Sequence, residues 1–215
     1  QYEITETGDK YVATAYQIID GKSGNGATVK DTLVPVDGST VIFTNTRETG
    51  NLTLSKTVVG NLPNPDKKFK FTLDFKESDN TIHSGSYSYI ANGTAGDDIV
   101  INGNAIPIPA SGTITIPSNG ENHGTVVLEL KKDQSITIQN IPKGIKYTIT
   151  EEDYRTERIT TTNTGSTSSP DGLVASGSIN GGIPAVDNHV AYTNTRRSGT
   201  LPTDPDPTQP TTTPS

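Results

Sequence analysis

Short runs in which every second residue is apolar recur along the chain and limit what it can fold into. In residues 67–76 the apolar side chains fall on alternate positions, namely Phe69, Phe71, Leu73 and Phe75. The same alternation occurs in residues 113–116, 125–130 and 135–141. A repeat of two residues is the side-chain period of a β-strand, and clusters of Gly, Asn, Asp and Pro, which are typical of turns, separate the runs. The sequence therefore predicts an all-β fold, an immunoglobulin-like sandwich of antiparallel sheets.

Composition narrows the classes of function. The 215 residues include no cysteine, which excludes disulfides, thiol catalysis and zinc sites built from cysteine. The net charge of −7 disfavours a nucleic-acid partner and a polybasic membrane patch. No apolar run reaches the roughly 18 residues that a membrane-spanning helix needs, so we expect no membrane insertion in this segment. Because the chain contains no methionine, we expect it to be a processed piece of a longer, extracellular protein.

The chain contains an internal repeat. Residues 2–6 and 147–151 share the pattern Tyr-x-Ile-Thr-Glu. Residues 41–47 and 190–196 share the ending Thr-Asn-Thr-Arg. The two motifs are separated by similar lengths in both copies, which indicates two versions of one domain.

The repeat predicts the domain organisation. We expect residues 1–48 to be the C-terminal part of a preceding domain whose first strands lie upstream of residue 1. Residues 49–197 are expected to form one complete sandwich domain. Residues 198–215 carry proline at every second or third position, which favours an extended linker or stalk over a sheet.

Three polar residues occupy positions where the strand phase predicts apolar side chains. Lys56, Glu151 and Asn194 each fall on the apolar face of their strand. Leu54 precedes the lysine on that face, and Ile149 precedes the glutamate. A buried ion without a partner costs several kcal/mol, so we expect the three side chains to meet in the core.

A lysine, a glutamate and an asparagine that meet out of water can react with one another. Burial disfavours charge and so favours a neutral amine on Lys56 and a neutral acid on Glu151. The amine is then a nucleophile, and the Asn194 carboxamide becomes an electrophile when its oxygen accepts a hydrogen bond from the acid. Glu151 can carry the proton from the amine to the leaving nitrogen. The product is a Lys56–Asn194 isopeptide bond plus ammonia, favoured by proximity.

The residues around these positions resemble a known family. Residues 52–61, 69–75, 135–154 and 192–196 look like the isopeptide-forming domains of Gram-positive major pilins, which are grouped with the B-type (CnaB-like) domains of collagen adhesins. The resemblance covers the second copy in full and the first copy in part.

The resemblance implies roles for individual residues. In that family the reactive lysine lies on the first strand, the asparagine on the last strand, and the glutamate at the end of a Tyr-x-Ile/Val-x-Glu motif. These positions match Lys56, Asn194 and Glu151, with Glu151 as the catalytic proton shuttle. The equivalent positions in the first copy are Glu6 and Asn45, whose lysine strand is expected upstream.

The same resemblance implies a location and partners. It places the protein outside the cell, on the surface or cell wall of a Gram-positive bacterium. The implied partners are neighbouring domains of the same protein, and other pilin subunits or host surface ligands. No cofactor is implied.

Each of the three residues also has a simpler interpretation. Lys56 could be an edge-strand lysine that discourages aggregation. Glu151 could be half exposed, and Asn194 could be a turn former.

Other motifs indicate no second chemistry. His83, His123 and His189 are isolated and lack the spacing of metal ligands, so we expect them in loops or at strand ends and expect no metal site. Residues 201–205, Leu-Pro-Thr-Asp-Pro, depart from the Leu-Pro-x-Thr-Gly anchoring signal of the family at the fourth and fifth positions. We expect no turnover enzyme, only a single self-crosslinking event.

These observations favour a structural stalk or backbone module of a Gram-positive adhesin or pilin, locked by an internal isopeptide bond. The alternative is a β-sandwich module of a surface adhesin that binds carbohydrate or a host protein. For that alternative the candidate surface is residues 77–109, where Tyr87 and Tyr89 could stack on a sugar. The same tyrosines could instead be ordinary strand residues.

Overall fold

The computed structural model describes residues 2–7, 11–18, 23–31, 41–119 and 124–197. The described chain is built from β-strands, with one short 3₁₀ turn at Arg155–Glu157 and no α-helix. The all-β prediction is therefore confirmed. In the part of the chain described, no helix is long and apolar enough to cross a membrane.

Five short strands form a first group, residues 2–47. Their bounds are β1 Tyr2–Thr5, β2 Tyr11–Ile18, β3 Ser23–Asn25, β4 Thr28–Asp31 and β5 Val41–Arg47. Strands β1 and β4 pair with each other, and β2 pairs with β3 on one side and β5 on the other, all antiparallel. Strand β5 therefore lies at the edge of its sheet among the described residues.

Thirteen strands form a second group, residues 49–196. Seven of these strands form one sheet: β7 Phe69–Lys76, β9 Asp98–Ile101, β10 Asn104–Pro107, β12 Thr125–Leu130, β14 Lys146–Glu151, β16 Thr167–Ser168 and β17 Val174–Ser178. The other six strands form a second sheet: β6 Thr49–Val59, β8 Gly85–Asn92, β11 Ala110–Ile116, β13 Ser135–Pro142, β15 Ile159–Asn163 and β18 Val186–Arg196. Among the described residues, no strand pairing joins the first group to the second.

The strand order places β6 in the interior of its sheet. The seven-stranded sheet has the order β10-β9-β12-β7-β14-β17-β16, and the six-stranded sheet the order β11-β8-β13-β6-β18-β15. Strand β6 pairs antiparallel with β13 and parallel with β18, from Gly50 opposite Val186 to Val59 opposite Thr195. The other strand pairings described are antiparallel, so this parallel contact departs from the all-antiparallel arrangement that the alternation predicted.

The core lies between the two large sheets. The alternating residues of the sequence motif at 67–76 are all buried, as β7 points Phe69, Phe71, Leu73 and Phe75 inward. Facing them are buried side chains of the six-stranded sheet, which include Leu52, Leu54, Ile136, Ile138, Val190 and Tyr192. Truncating one such side chain costs about 2–5 kcal/mol, because a cavity remains. The polar residues of the core must be accommodated within this apolar layer.

Candidate functional site: a buried lysine, glutamate and asparagine

Lys56 lies in the middle of the core layer. Strand β6 alternates buried and partly exposed residues along nearly its whole length, and Lys56 takes an inward position in phase with Leu52 and Leu54. Only 1% of the residue is exposed. Since β6 is an interior strand, the interpretation of Lys56 as an edge-strand lysine is wrong.

Glu151 and Asn194 are also inward-facing strand residues. Glu151 is the last residue of β14 in the facing sheet, is 1% exposed, and its backbone N–H donates to the carbonyl of Leu173 at 2.9 Å. Asn194 lies within β18 and is fully buried. The interpretations of Glu151 as half exposed and of Asn194 as a turn former are therefore wrong as well.

The structure brings the three side chains together around one oxygen atom. The ammonium of Lys56 donates to Oε1 of Glu151 at 2.7 Å. The Nδ2 amide of Asn194 donates to the same Oε1 at 2.9 Å. The other two oxygens of the cluster, Oε2 of Glu151 and Oδ1 of Asn194, are buried without a hydrogen-bond partner. A carboxylate oxygen shared by the amine and the amide nitrogen is a route for a proton between the two.

Register explains why the lysine and the asparagine are neighbours. In the parallel pair, Lys56 lies opposite Tyr192, and Asn194 is two residues further along β18. Two residues is one full side-chain period, so both side chains point into the same core layer. Glu151 then reaches the pair from the facing sheet.

Burial among apolar side chains disfavours the charged form of the Lys56 amine. The nitrogen lies 4.5 Å from the ring centre of Phe69 and 5.7 Å from that of Phe71. Burial lowers the pKa of Lys56 to about 8, although the charge and the hydrogen bond of Glu151 act in the opposite direction. A lysine in this site therefore loses its proton far more readily than one in water.

The orientation of the Asn194 amide differs from the sequence-based expectation. The sequence reasoning had the amide oxygen accept from a protonated glutamate, whereas here the amide nitrogen donates to the carboxyl group. An ionised carboxylate only accepts hydrogen bonds, so it selects the NH₂ end of the amide. This orientation puts the leaving nitrogen of the proposed reaction beside the group that would protonate it.

Tyr192 supports the site in a way that the sequence reasoning missed. Its hydroxyl donates to the backbone oxygen of Ile149 at 2.6 Å, which ties β18 to the strand that carries Glu151. Its ring meets Phe71 edge-on with the ring centres 5.1 Å apart. Burial raises the pKa of its hydroxyl, so it stays protonated and remains a donor. The sequence signal that could have indicated this role is the inward-facing position of Tyr192, two residues before Asn194.

A second glutamate–asparagine pair lies in the first strand group. Nδ2 of Asn45 donates to Oε1 of Glu6 at 2.7 Å. The Glu6 backbone N–H donates to the carbonyl of Ala27 at 2.9 Å, as that of Glu151 does to Leu173. Oε2 of Glu6 is buried without a partner. The structure thus reproduces the amide-to-carboxylate hydrogen bond at the equivalent residues of the repeat.

The histidines form no site with one another. His83 is buried in the loop before β8, with Nδ1 2.6 Å from Oε1 of Glu77 and Nε2 2.6 Å from the Tyr87 hydroxyl. His189 lies inside β18, 2.8 Å from the Ser55 hydroxyl, so its predicted place in a loop or at a strand end is wrong. His123 falls outside the described residues. The residues that are described contain no cluster of His, Asp and Glu able to hold a metal.

The segment considered for ligand binding is largely folded into the sandwich. Residues 77–109 contain β8, β9 and β10. Tyr89 is buried in the core, and Tyr87 is partly buried and bonded to His83. Both tyrosines are therefore strand residues, as the second interpretation expected. The anchoring-like segment 201–205 and the rest of the tail lie outside the described residues.

Comparison with known proteins gives a family match. A family model described as a domain of unknown function (DUF7601) matches residues 50–196. These bounds run from the second residue of β6 to the last residue of β18, which contains Lys56, Glu151 and Asn194. No curated protein matches the chain at a significant level.

Solved structures of pilins share the fold. The chain is similar to the major pilin of Streptococcus pyogenes, with 22% identity and a TM-score of 0.50, over 86% of this chain and 63% of the pilin. A single-residue variant of that pilin has 20% identity and a TM-score of 0.51, over 89% of this chain and 66% of the variant. The major pilin of another serotype of the species has 18% identity and a TM-score of 0.50, over 89% of this chain and 65% of that pilin.

The chain spans less than two thirds of the length of each of these pilins, and the likeness extends to the β-sandwich architecture. The family match is different in kind, because it rests on sequence and covers most of the chain. Through residues 50–196, the protein therefore belongs to the DUF7601 family.

Proposed function

We propose that the chain is a structural stalk or backbone module of a Gram-positive surface adhesin or pilin. Its second strand group is locked by an intramolecular isopeptide bond between Lys56 and Asn194, formed without an external enzyme and assisted by Glu151. The observation that carries this proposal is the single oxygen, Oε1 of Glu151, which accepts from both the lysine amine and the asparagine amide nitrogen.

The reaction proceeds by transfer of one proton through that oxygen. Lys56 gives a proton to Glu151, and the neutral amine attacks Cγ of Asn194. As the new C–N bond forms, the carbonyl π electrons move onto Oδ1. The tetrahedral centre then collapses, the Cγ–Nδ2 bond breaks, and Glu151 delivers a proton to the leaving nitrogen. The products are an amide and ammonia, and Glu151 takes up the remaining proton of the lysine nitrogen.

The electrostatics of the core favour the product. A buried ion pair is expensive, because two charges leave water and only the hydrogen bonds at Oε1 of Glu151 replace their hydration. The amide product is neutral, so the lysine charge disappears from the core.

A link between Lys56 and Asn194 joins the first and last strands of the second group. It encloses more than about 100 residues, and cross-linking a loop of that size stabilises the folded state by about 5 kcal/mol in the chain-entropy picture. That amount is comparable with the whole stability of many domains. A module built without cysteine gains in this way what a secreted protein otherwise obtains from disulfides.

The domain organisation follows from the same proposal. Residues 49–197 are the complete, self-locking sandwich, residues 1–48 are the C-terminal part of a like domain, and residues 198–215 are a linker or stalk. The fold shared with streptococcal pilins supports a place on the Gram-positive cell surface. Neighbouring domains and other pilin subunits are the expected partners.

Intact-mass measurement of the whole chain tests the proposal. We expect a mass below the sequence mass by one ammonia molecule, and a tryptic cross-link that joins the peptides of Lys56 and Asn194. The isosteric Glu151→Gln variant keeps the volume of the side chain but cannot carry the proton, so it should have the full sequence mass. A folded wild-type protein of full sequence mass would overturn the proposed bond.

A further inference from the structure

Tyr89 is buried in the core, yet its hydroxyl makes no hydrogen bond within the described residues. Only 5% of the residue is exposed. The hydroxyls of Tyr87, Tyr154 and Tyr192 each bond to a nearby protein group, whereas the phenol oxygen of Tyr89 meets none among those described. A hydroxyl so deeply buried is costly to leave unpaired, so its partner is expected from outside the chain.

This hydroxyl opens into a cleft on one side of the sandwich. The cleft has a volume of about 190 Å³ and is lined by residues of β10 and β11, which are edge strands of the two large sheets as far as these are described. Gly112 of β11 stands opposite Tyr89, and a Cβ atom there would lie 3.1 Å from the phenol oxygen. The missing side chain therefore leaves room for the Tyr89 ring to reach the open edge.

The cleft is lined by uncharged residues of two kinds. These residues are Tyr89, Ile101, Asn102, Asn104, Ile106, Thr113, Ile114 and Thr115. The isoleucines supply an apolar wall, of which Ile101 and Ile114 are buried. Asn102 and Asn104 are exposed and supply carboxamide groups at the rim, and Oδ1 of Asn102 accepts from the Val127 N–H at 2.9 Å, which holds the turn between β9 and β10 in place. A ligand that fits is therefore neutral, with one apolar side and several hydrogen-bonding groups.

We propose that this cleft binds one neutral sugar ring, such as the terminal unit of an uncharged polysaccharide. Its volume corresponds to roughly six water molecules at about 30 Å³ each, which suits a single six-membered ring and is too small for a folded partner. The inference goes beyond the proposed function, because it gives the module a ligand as well as a mechanical role.

A sugar ring matches each part of the lining. Its hydroxyl groups both donate and accept, so one of them can pair with the Tyr89 hydroxyl and others with the carboxamides of Asn102 and Asn104. Its C–H face packs on the isoleucine wall. The Tyr89 ring itself is buried beside Gly112 and contributes its hydroxyl, not a stacking surface. A ligand hydroxyl also reproduces the hydrogen bonds of the solvent that it displaces, which keeps the exchange favourable.

The cleft is separate from the site of Lys56, Glu151 and Asn194. Strands β8 and β13 lie between β11 and β6, the strand that carries the lysine. Sugar binding and the loss of ammonia are therefore independent measurements, and either can fail alone.

Titration of the whole ¹⁵N-labelled chain with methyl glycosides of glucose, galactose and N-acetylglucosamine tests the site. At least one of these neutral sugars should shift the amide signals of residues 102–106 and 113–115 in a saturable way at millimolar concentration. Glucuronic acid, which has a similar ring with a carboxylate, should bind more weakly, because no cation in the lining offsets the loss of its hydration.

Two variants locate the binding. Tyr89→Phe keeps the ring in place and removes only the hydroxyl, so the affinity should fall by about 3- to 10-fold. Asn104→Ala changes an exposed residue at the rim, which leaves the core intact, and should weaken binding to a similar degree. The matched control Tyr87→Phe removes the hydroxyl two residues away on the same strand, outside the cleft, and should bind as the wild type does.

Three results would overturn the sugar site. They are the absence of any shift with the neutral sugars, shifts that lie outside the cleft, and binding at the cleft whose affinity Tyr89→Phe leaves unchanged. If an extended peptide with the sequence of residues 110–116 shifts the amides of β11 and no sugar does, the edge docks a strand and not a sugar. The loss of ammonia is measured separately on the same protein, so failure of the sugar site leaves the proposed bond untouched.

Discussion

A hydrogen bond from an asparagine amide to a glutamate occurs twice in this chain, once with a lysine beside it and once without. In the second strand group Lys56 joins Glu151 and Asn194, and all three residues are at most 1% exposed. In the first strand group Asn45 is exposed and the pair with Glu6 stands without such a lysine contact among the described side chains. The two regions share one motif but differ in what covers it.

The difference separates the parts of the site that assemble by themselves from the part that must be added. In both groups the backbone N–H of the glutamate donates, at 2.9 Å, to the carbonyl of the residue just before a neighbouring strand, so the backbone holds the glutamate in the same way in both pairs. The lysine comes from a strand far away in sequence and brings the water-free surroundings with it. The glutamate–asparagine pair and the lysine are therefore separate structural contributions, and each can be removed alone.

The largest expected effect is mechanical. When the wild-type chain is pulled from its two ends in a single-molecule experiment, the residues between 57 and 193 should not extend, because the bond from Lys56 to Asn194 carries the load. Asn194→Ala should add one unfolding step with nearly the full length of that segment. Among the described residues of the first strand group no lysine contacts Asn45, so this group should extend in both proteins. A full-length step in the wild type would contradict the lock.

The next effect is on stability. Asn194→Ala removes the bond but keeps the ion pair of Lys56 and Glu151, so the free energy of unfolding should fall by about 5 kcal/mol. The same change in the first group, Asn45→Ala, removes one exposed hydrogen bond and should cost about 1 kcal/mol or less. Urea unfolding followed by circular dichroism measures both. Equal losses at the two positions would show that the pairs are equivalent and that no bond distinguishes them.

A smaller effect is a dependence on pH that only the unlinked protein should have. In Asn194→Ala the Lys56 amine still titrates, with a pKa of about 8 when folded and 10.5 when unfolded. Between these values the unfolded chain binds more protons, so the free energy of unfolding should rise with pH, by about 1–3 kcal/mol. If the wild type carries the proposed bond, this nitrogen is an amide and should contribute no such rise. The measurement is the urea denaturation midpoint of each protein at pH 8 and at pH 10, and the change between the two pH values is compared.

The smallest effect is expected on the outward face of the same strand. Ser55 neighbours Lys56 but points to solvent, where its hydroxyl lies 2.8 Å from Nε2 of His189. Ser55→Ala should lower the free energy of unfolding by about 0.5–1 kcal/mol and leave the loss of ammonia complete. A block of the reaction by this change would mean that the outer face of β6 helps to position the lysine.

Much of the site was predictable because strand phase is visible in a sequence. Lys56 and Asn194 interrupt apolar positions with a period of two, and the repeat located the second pair at Glu6 and Asn45. These inferences need only local alternation and the rule that buried charge requires a partner. The positions of the three residues on inward faces follow from that alone.

What the sequence could not supply depends on contacts between distant segments. The parallel pairing of β6 with β18 joins residues more than a hundred positions apart, and alternation does not reveal one parallel pair within sheets that are otherwise antiparallel. The orientation of the Asn194 amide depends on its hydrogen bond to Glu151, and that contact exists only once the two sheets have packed. The contact of His83 with Glu77 and Tyr87 likewise arises from the fold of a loop, so that histidine could not be recognised as buried.

The parallel contact of β6 and β18 also determines how the second strand group responds to tension before any covalent bond exists. Because the strands run in the same direction, the chain enters β6 at Thr49 and leaves β18 at Arg196, at opposite ends of the pair. Tension on the two ends therefore loads the contact in shear, so that the hydrogen bonds along it share the force, whereas a hairpin pulled at its open end unzips one bond at a time. An unlinked molecule can thus hold the first and last strands of this group in register under load before the proposed bond forms.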